Sequence, residues 1–101
     1  MARSLDKVEC RTPTPGKQPT RIDRWKFDAV RRAILAVLPR RGEGVLFTNL
    51  TGLVKAELTT DELANLGAPM WYVTTVKLEL EVRGEIQRVK DSTPQRLLRA
   101  K

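Results

Sequence analysis

Apolar and polar residues follow two different rhythms along this chain, and the two compete in residues 71–83, WYVTTVKLELEVR. Val76, Leu78, Leu80 and Val82 alternate with Lys77, Glu79, Glu81 and Arg83, which taken alone is the two-residue period of a half-buried strand. A strand would make Arg83 and Gly84 the turn of a long hairpin, yet two-residue hairpin turns need positive φ at both central positions and favour Asn-Gly or Asp-Gly. A helix explains more of the punctuation. Pro69 falls in its first turn, Val73, Val76 and Leu80 recur at i, i+3 and i+7, and Gly84 can adopt the left-handed conformation that closes a helix. The β-branched run from Val73 to Val76 opposes helix by roughly a few tenths of a kilocalorie per residue. The helical reading leaves Leu78 and Val82 opposite the core stripe, where something should cover them.

Elsewhere the rhythms separate. Residues 23–38 place Phe27, Val30, Ile34, Val37 and Leu38 on one helical stripe with Leu35 at its edge; Thr20 or Asp23 can cap the start, and Pro39 ends it. Trp25 falls almost opposite this stripe. Gly42, Glu43 and Gly44 form a turn into Val45, Leu46 and Phe47, a segment too short to stand alone as a strand. Thr48 or Asn49 can then cap a second helix bearing Leu50, Leu53, Val54 and Leu58. Thr59 and Glu62 have capping-box spacing and predict one short helical turn ended by Gly67. After Gly84, Ile86 and Val89 alternate with polar residues, a polar loop covers 90–94, and residues 95–98 return, which reads as strand, loop, strand. Residues 1–20, with Pro13, Pro15, Gly16 and Pro19, keep no period and predict an extended, partly disordered arm. Arg3, Lys7, Arg11, Lys17 and Arg21 could lie along DNA; the alternatives are an unstructured leader, or an arm folded back over Leu78 and Val82 or Trp25.

Helix, short strand, helix, turn, helix and basic hairpin is the element order of a winged helix-turn-helix, whose last helix enters the DNA major groove with the hairpin wing beside it. The expected fold is therefore α+β: a winged-helix domain over residues 21–101, with three main helices and a small antiparallel β wing, preceded by the extended arm of residues 1–20. The phrases VEC…TPGKQPTRIDRWKFDAVRRAILAVLP and WYVTTVKLELEVRGEIQRV also resemble a family of small, uncharacterised bacterial proteins regarded as winged-helix domains. The resemblance covers nearly the whole chain after Leu5, and LEVRGEIQRV is similar to the leucine, glycine and isoleucine spacing at the end of many winged-helix recognition helices. It implies the fold and a bacterial, cytoplasmic origin, and carries no activity or site residue with it.

Composition narrows the chemistry. The 101 residues suit one domain with a modest core. No apolar run approaches the ~18 residues of a membrane span, and no apolar stretch near the N-terminus resembles a secretory signal, so a cytoplasmic protein is expected. Cys10 is the only cysteine, which rules out an intrachain disulfide, and its place in the arm reads as an incidental exposed thiol. The absence of histidine removes the commonest general base and a principal metal ligand. Gly42 and Gly44 lack the lysine and hydroxyl of a phosphate loop, and Glu79 and Glu81 point different ways from a helix. No catalytic, metal or cofactor site is expected; Glu79 reads as a solvent-facing i, i+4 partner of Arg83.

The net charge of +7 is uneven: residues 1–22, 23–41 and 85–101 are basic, 42–67 acidic and 68–84 balanced. Such polarity is the electrostatic footprint of a nucleic-acid binder, although it also serves plain solubility. The candidate DNA contacts are Tyr72, Thr74, Thr75 and Lys77 on the helix, with Arg88, Lys90, Arg96 and Arg99 on the wing and its exit. Glu79, Glu81 and Glu85, and the lack of arginine before Arg83, argue for backbone-dominated binding of low sequence specificity. The expected function is thus a DNA-binding, regulator-like protein. The competing class is a non-catalytic protein-interaction or homodimerisation module on the same scaffold, using Trp25, Leu78 and Val82.

Overall fold

The computed structural model describes residues 6–100. In chain order it contains β1 (Lys7–Cys10), β2 (Thr20–Asp23), α1 (Arg24–Val37), β3 (Val45–Leu46), α2 (Phe47–Glu57), α3 (Thr60–Leu66), α4 (Pro69–Arg83), β4 (Ile86–Arg88) and β5 (Arg96–Arg99). Among the described residues these make a mixed α+β fold of four helices and two small antiparallel sheets.

The ambiguous run is helical. Pro69 takes the first position of α4, and Gly84 closes it in the left-handed region at φ 75°, its N–H directed to the carbonyls of Glu81 and Leu80. Strand-like alternation arises because α4 is enclosed on several sides, packing against α1, α2, α3, β1 and β4. Val73, Val76 and Leu80 are buried as expected, but Lys77 and Glu79 are buried as well, while Leu78 and Val82 are half-buried. A helix buried on several faces loses the one-sided pattern that periodicity detects.

Local signals mark most other boundaries. Thr59 and Glu62 form both halves of the capping box of α3, which is a seven-residue helix rather than a single turn. Helix α1 ends at Val37, and Leu38 is extended because the following Pro39 disfavours helical backbone before it. Asp23 occupies the N-cap of α1, but its carboxylate pairs with Lys7 across the hairpin instead of capping. Neither Thr48 nor Asn49 caps α2: the helix begins at Phe47, whose N–H donates to the Gln95 carbonyl at 2.9 Å. Of the apolar residues of α2, Leu50 and Val54 are buried and Leu53 is 40 % exposed.

The largest correction lies at the N-terminus. Where an extended arm was expected, β1 pairs with β2 in the register Val8↔Ile22 and Cys10↔Thr20. Val8, Cys10 and Ile22 enter the same core as Phe27, Ile34, Val76 and Leu80. Cys10 is accordingly buried, not an exposed thiol. Arg3, in residues 1–5, and Lys101 lie outside the described residues.

In the second sheet the strand order is β3-β5-β4, so the short strand after α1 pairs with the last strand of the chain. Gly44 makes this pairing possible. It has φ +82°, and a Cβ there would lie 2.7 Å from the Leu97 carbonyl oxygen, a contact no side chain tolerates without moving the strand.

Candidate functional site

The candidate DNA contacts on α4 do not form one open face. Lys77 is only 2 % exposed; its ammonium lies 2.6 Å from Glu81 and 4.7 Å from the centroid of the Phe47 ring. Burial lowers the pKa of this lysine, and the neighbouring Glu81 carboxylate partly restores it. A lysine so enclosed does not present its ammonium at the surface of α4, contrary to its expected place among the DNA contacts. Tyr72 is half-buried, meets Trp71 edge to face at 4.8 Å, and accepts a hydrogen bond from Lys26 at 3.3 Å. Thr75 is half-buried. Thr74 lines a groove of about 340 Å³ with Phe47, Thr48, Thr51 and Met70.

The wing residues divide similarly. Arg88 donates from Nε to Glu81 at 2.7 Å, so two expected DNA contacts, Arg88 and Lys77, converge on one carboxylate. Lys90 is exposed in the loop between β4 and β5, beside Asp91 in the left-handed region at φ 62°. Arg96 approaches Glu43 only at 4.0 Å. Arg99 is half-buried, and its Nε is buried with no hydrogen-bond partner. It lines a cavity of about 240 Å³ with Arg31, Leu35 and Glu85.

The expected protein-contact residues are not an exposed patch. Trp25 is half-buried against the core and borders an open surface groove with Asp23, Lys26, Asp61, Glu62 and Asn65. Among the described residues the exposed large apolar side chains are instead Met70 at 69 %, Trp71 at 47 % and Leu53. The sequence signal for the first two is Pro69 at the start of α4, which makes them first-turn residues beyond the packed part of the helix.

The densest charged constellation is one that local sequence reasoning missed. Glu79, read as a solvent-facing partner of Arg83, is 1 % exposed. Its Oε1 accepts from the Arg11 backbone N–H at 2.7 Å and from Arg11 Nε at 3.1 Å. Its Oε2 accepts from Arg11 Nη2 at 2.7 Å and Arg83 Nε at 2.8 Å. Burial pushes the Glu79 pKa up, but the donors from Arg11 and Arg83 outweigh it and hold the carboxyl at about 2. Beside it, burial and the Glu79 charge raise the Cys10 thiol to about 11, so Cys10 is neutral at ordinary pH and a poor nucleophile. At the start of α3, Arg32 and the Thr59 backbone N–H hold Glu62 at about 2.

Among the described residues no three His, Cys, Asp or Glu side chains are grouped to hold a metal ion, and no helix is long and apolar enough to cross a membrane. A family model described as a family of unknown function, DUF6958, matches residues 7–97, so the chain belongs to that family. The match begins at the first residue of β1 and ends within β5, and therefore includes the N-terminal hairpin as well as the helices. No curated protein and no solved structure matches the chain.

Proposed function

We propose that this DUF6958 member is a winged-helix, DNA-binding protein that holds the phosphate backbone through its wing and discriminates little between sequences. The observation that carries the reading is the β3-β5-β4 order combined with the open charges around it. The strand after α1 pairs with the final strand, which leaves the β4–β5 hairpin free to act as a wing. Lys90 in the hairpin loop and Arg41 before β3 have no ion-pair partner among the described residues, and Arg96 has only the distant Glu43. These cations suit phosphate contacts. With Lys77 buried and Arg83 tied to Glu79, α4 offers few groups that read bases, so binding would be dominated by counterion release.

The test is a titration of a mixed-sequence duplex, followed by Trp71 fluorescence in a Trp25→Phe background. Three phosphate contacts predict a slope of about −3 in log K against log salt. The combined Arg41→Gln, Lys90→Gln, Arg96→Gln variant should fold normally and lose most of the affinity and slope. Equal binding by that variant, or no binding at low salt, would overturn the reading.

A second reading rests on Met70 and Trp71, whose exposure at the start of α4 suits a protein contact. Concentration-dependent sedimentation, abolished by Met70→Glu, would favour homodimerisation over DNA binding as the role of this face.

A further inference from the structure

The geometry points to a phosphate seat in the cavity between α1 and the end of β5, held by the guanidinium groups of Arg31 and Arg99. The cavity, of about 240 Å³, is lined by Arg31, Leu35, Glu85 and Arg99. Glu85 is its one lining carboxylate: Oε1 accepts from Arg31 Nε at 2.7 Å, while Oε2 lies 3.9 Å from Arg83 Nη1, beyond hydrogen-bond distance. Neither oxygen accepts a hydrogen bond from Arg99. Its Nε is buried and has no partner, although native proteins satisfy nearly all buried polar groups.

Nor is Arg99 a loose surface side chain that happens to lie near the cavity. Its N–H donates to the Pro39 carbonyl at 2.8 Å, and it pairs with Ile86 in the sheet register. The Ala100 N–H then donates to the Glu85 carbonyl at 2.9 Å, fixing the strand end against the residue that carries the competing carboxylate. Arg31 uses Nε on Glu85 and keeps its terminal nitrogens available, since its side chain is 40 % exposed. The cavity is thus partly solvent-accessible, with one fixed and one accessible guanidinium.

Charge selects the ligand class. Arg31 and Arg99 share the concavity with the single Glu85 carboxylate, a surplus of one positive charge beside one wall formed by Leu35, while Arg83 is committed to Glu79. A monoprotonated phosphate monoester, with one negative charge, balances that surplus, and its oxygens match guanidinium forks. A phosphodiester offers the same oxygens with one charge. The inference does not depend on the wing binding DNA, because Arg99 lies at the end of β5 away from the 89–95 loop.

The full-length protein would be titrated with inorganic phosphate and with glycerol 3-phosphate against chloride at matched ionic strength, by calorimetry and by amide shifts of Arg99 and Glu85. Saturable binding is expected, weakened about tenfold or more in Arg99→Gln and to an intermediate degree in Arg99→Lys, which keeps the charge but loses the fork. Arg31→Lys gives an independent second variant that retains a cation for Glu85. Shifts that do not saturate, or equal affinity in folded Arg99→Gln and wild type, would overturn the assignment. Displacement of bound phosphate by duplex DNA would identify the source as backbone phosphate; failure of DNA to displace it would identify a free monoester.

Discussion

Two sides of α4 bury charge in opposite ways. Residues two apart on a helix point about 200° from each other, so Lys77 and Glu79 face different parts of the molecule. Glu79 faces the N-terminal hairpin and collects four donor contacts from Arg11 and Arg83. Lys77 faces α2 and the wing, where it has Glu81 and the Phe47 ring. The protein environment favours the charged form of Glu79 and the neutral form of Lys77. Burial alone therefore does not decide whether a charge belongs in this core; the number of hydrogen-bond partners aimed at it does.

Leu80 lies fully buried in the core, and Leu80→Ala should cost roughly 2–5 kcal/mol in urea denaturation. A loss under about 1 kcal/mol would mean that α4 is not the common support of the core.

Glu79→Gln should come next, at about 1–3 kcal/mol near neutral pH, because the amide cannot accept the full set of arginine donors. The sign with pH follows from the depressed folded pKa. The stabilisation is complete above the ordinary value of 4.5 and is lost as pH falls towards about 2, so the gap between wild type and Glu79→Gln should close through that window. A gap independent of pH would remove ionised Glu79 from the account.

Lys77→Met should change stability by less than about 1 kcal/mol in either direction, since an apolar isostere replaces a poorly solvated cation and Arg88 still serves Glu81. Its pH dependence is distinct: a lysine with a lowered folded pKa penalises the fold while protonated, so wild type should gain on Lys77→Met as pH rises towards 10.5. Equal penalties for the two α4 variants would dissolve the contrast. The smallest effect concerns Cys10, which a thiol reagent should modify only when the hairpin opens; labelling at pH 8 should be slow in wild type and faster in Glu79→Gln, with no large change in Lys77→Met.

What was legible in the sequence was local. The stripe Phe27, Val30 and Ile34, the Thr59–Glu62 cap and the Gly84 stop all depend on residues within a turn or two of one another, and each appears in the structure. What was hidden depends on distant partners. Two strands of four residues separated by a proline-rich connection carry little periodicity, although Val8, Cys10 and Ile22 do alternate with polar neighbours. Nothing near Glu79 announces Arg11, so a buried acid looked like a solvated one. The candidate contacts suffered from the same rule: Lys77 and Arg88 look available until both are found on Glu81.

The hairpin's attachment to α4 also sets an order of events during synthesis. Arg11 and Glu79 are 68 residues apart. At ~5–20 residues per second the ribosome needs about 3–14 s to make the second after the first. Through that interval β1 has no α4 to dock on, and the Val8 and Cys10 side chains stay uncovered on that side. A strand thus depends for its cover on a helix made well after it.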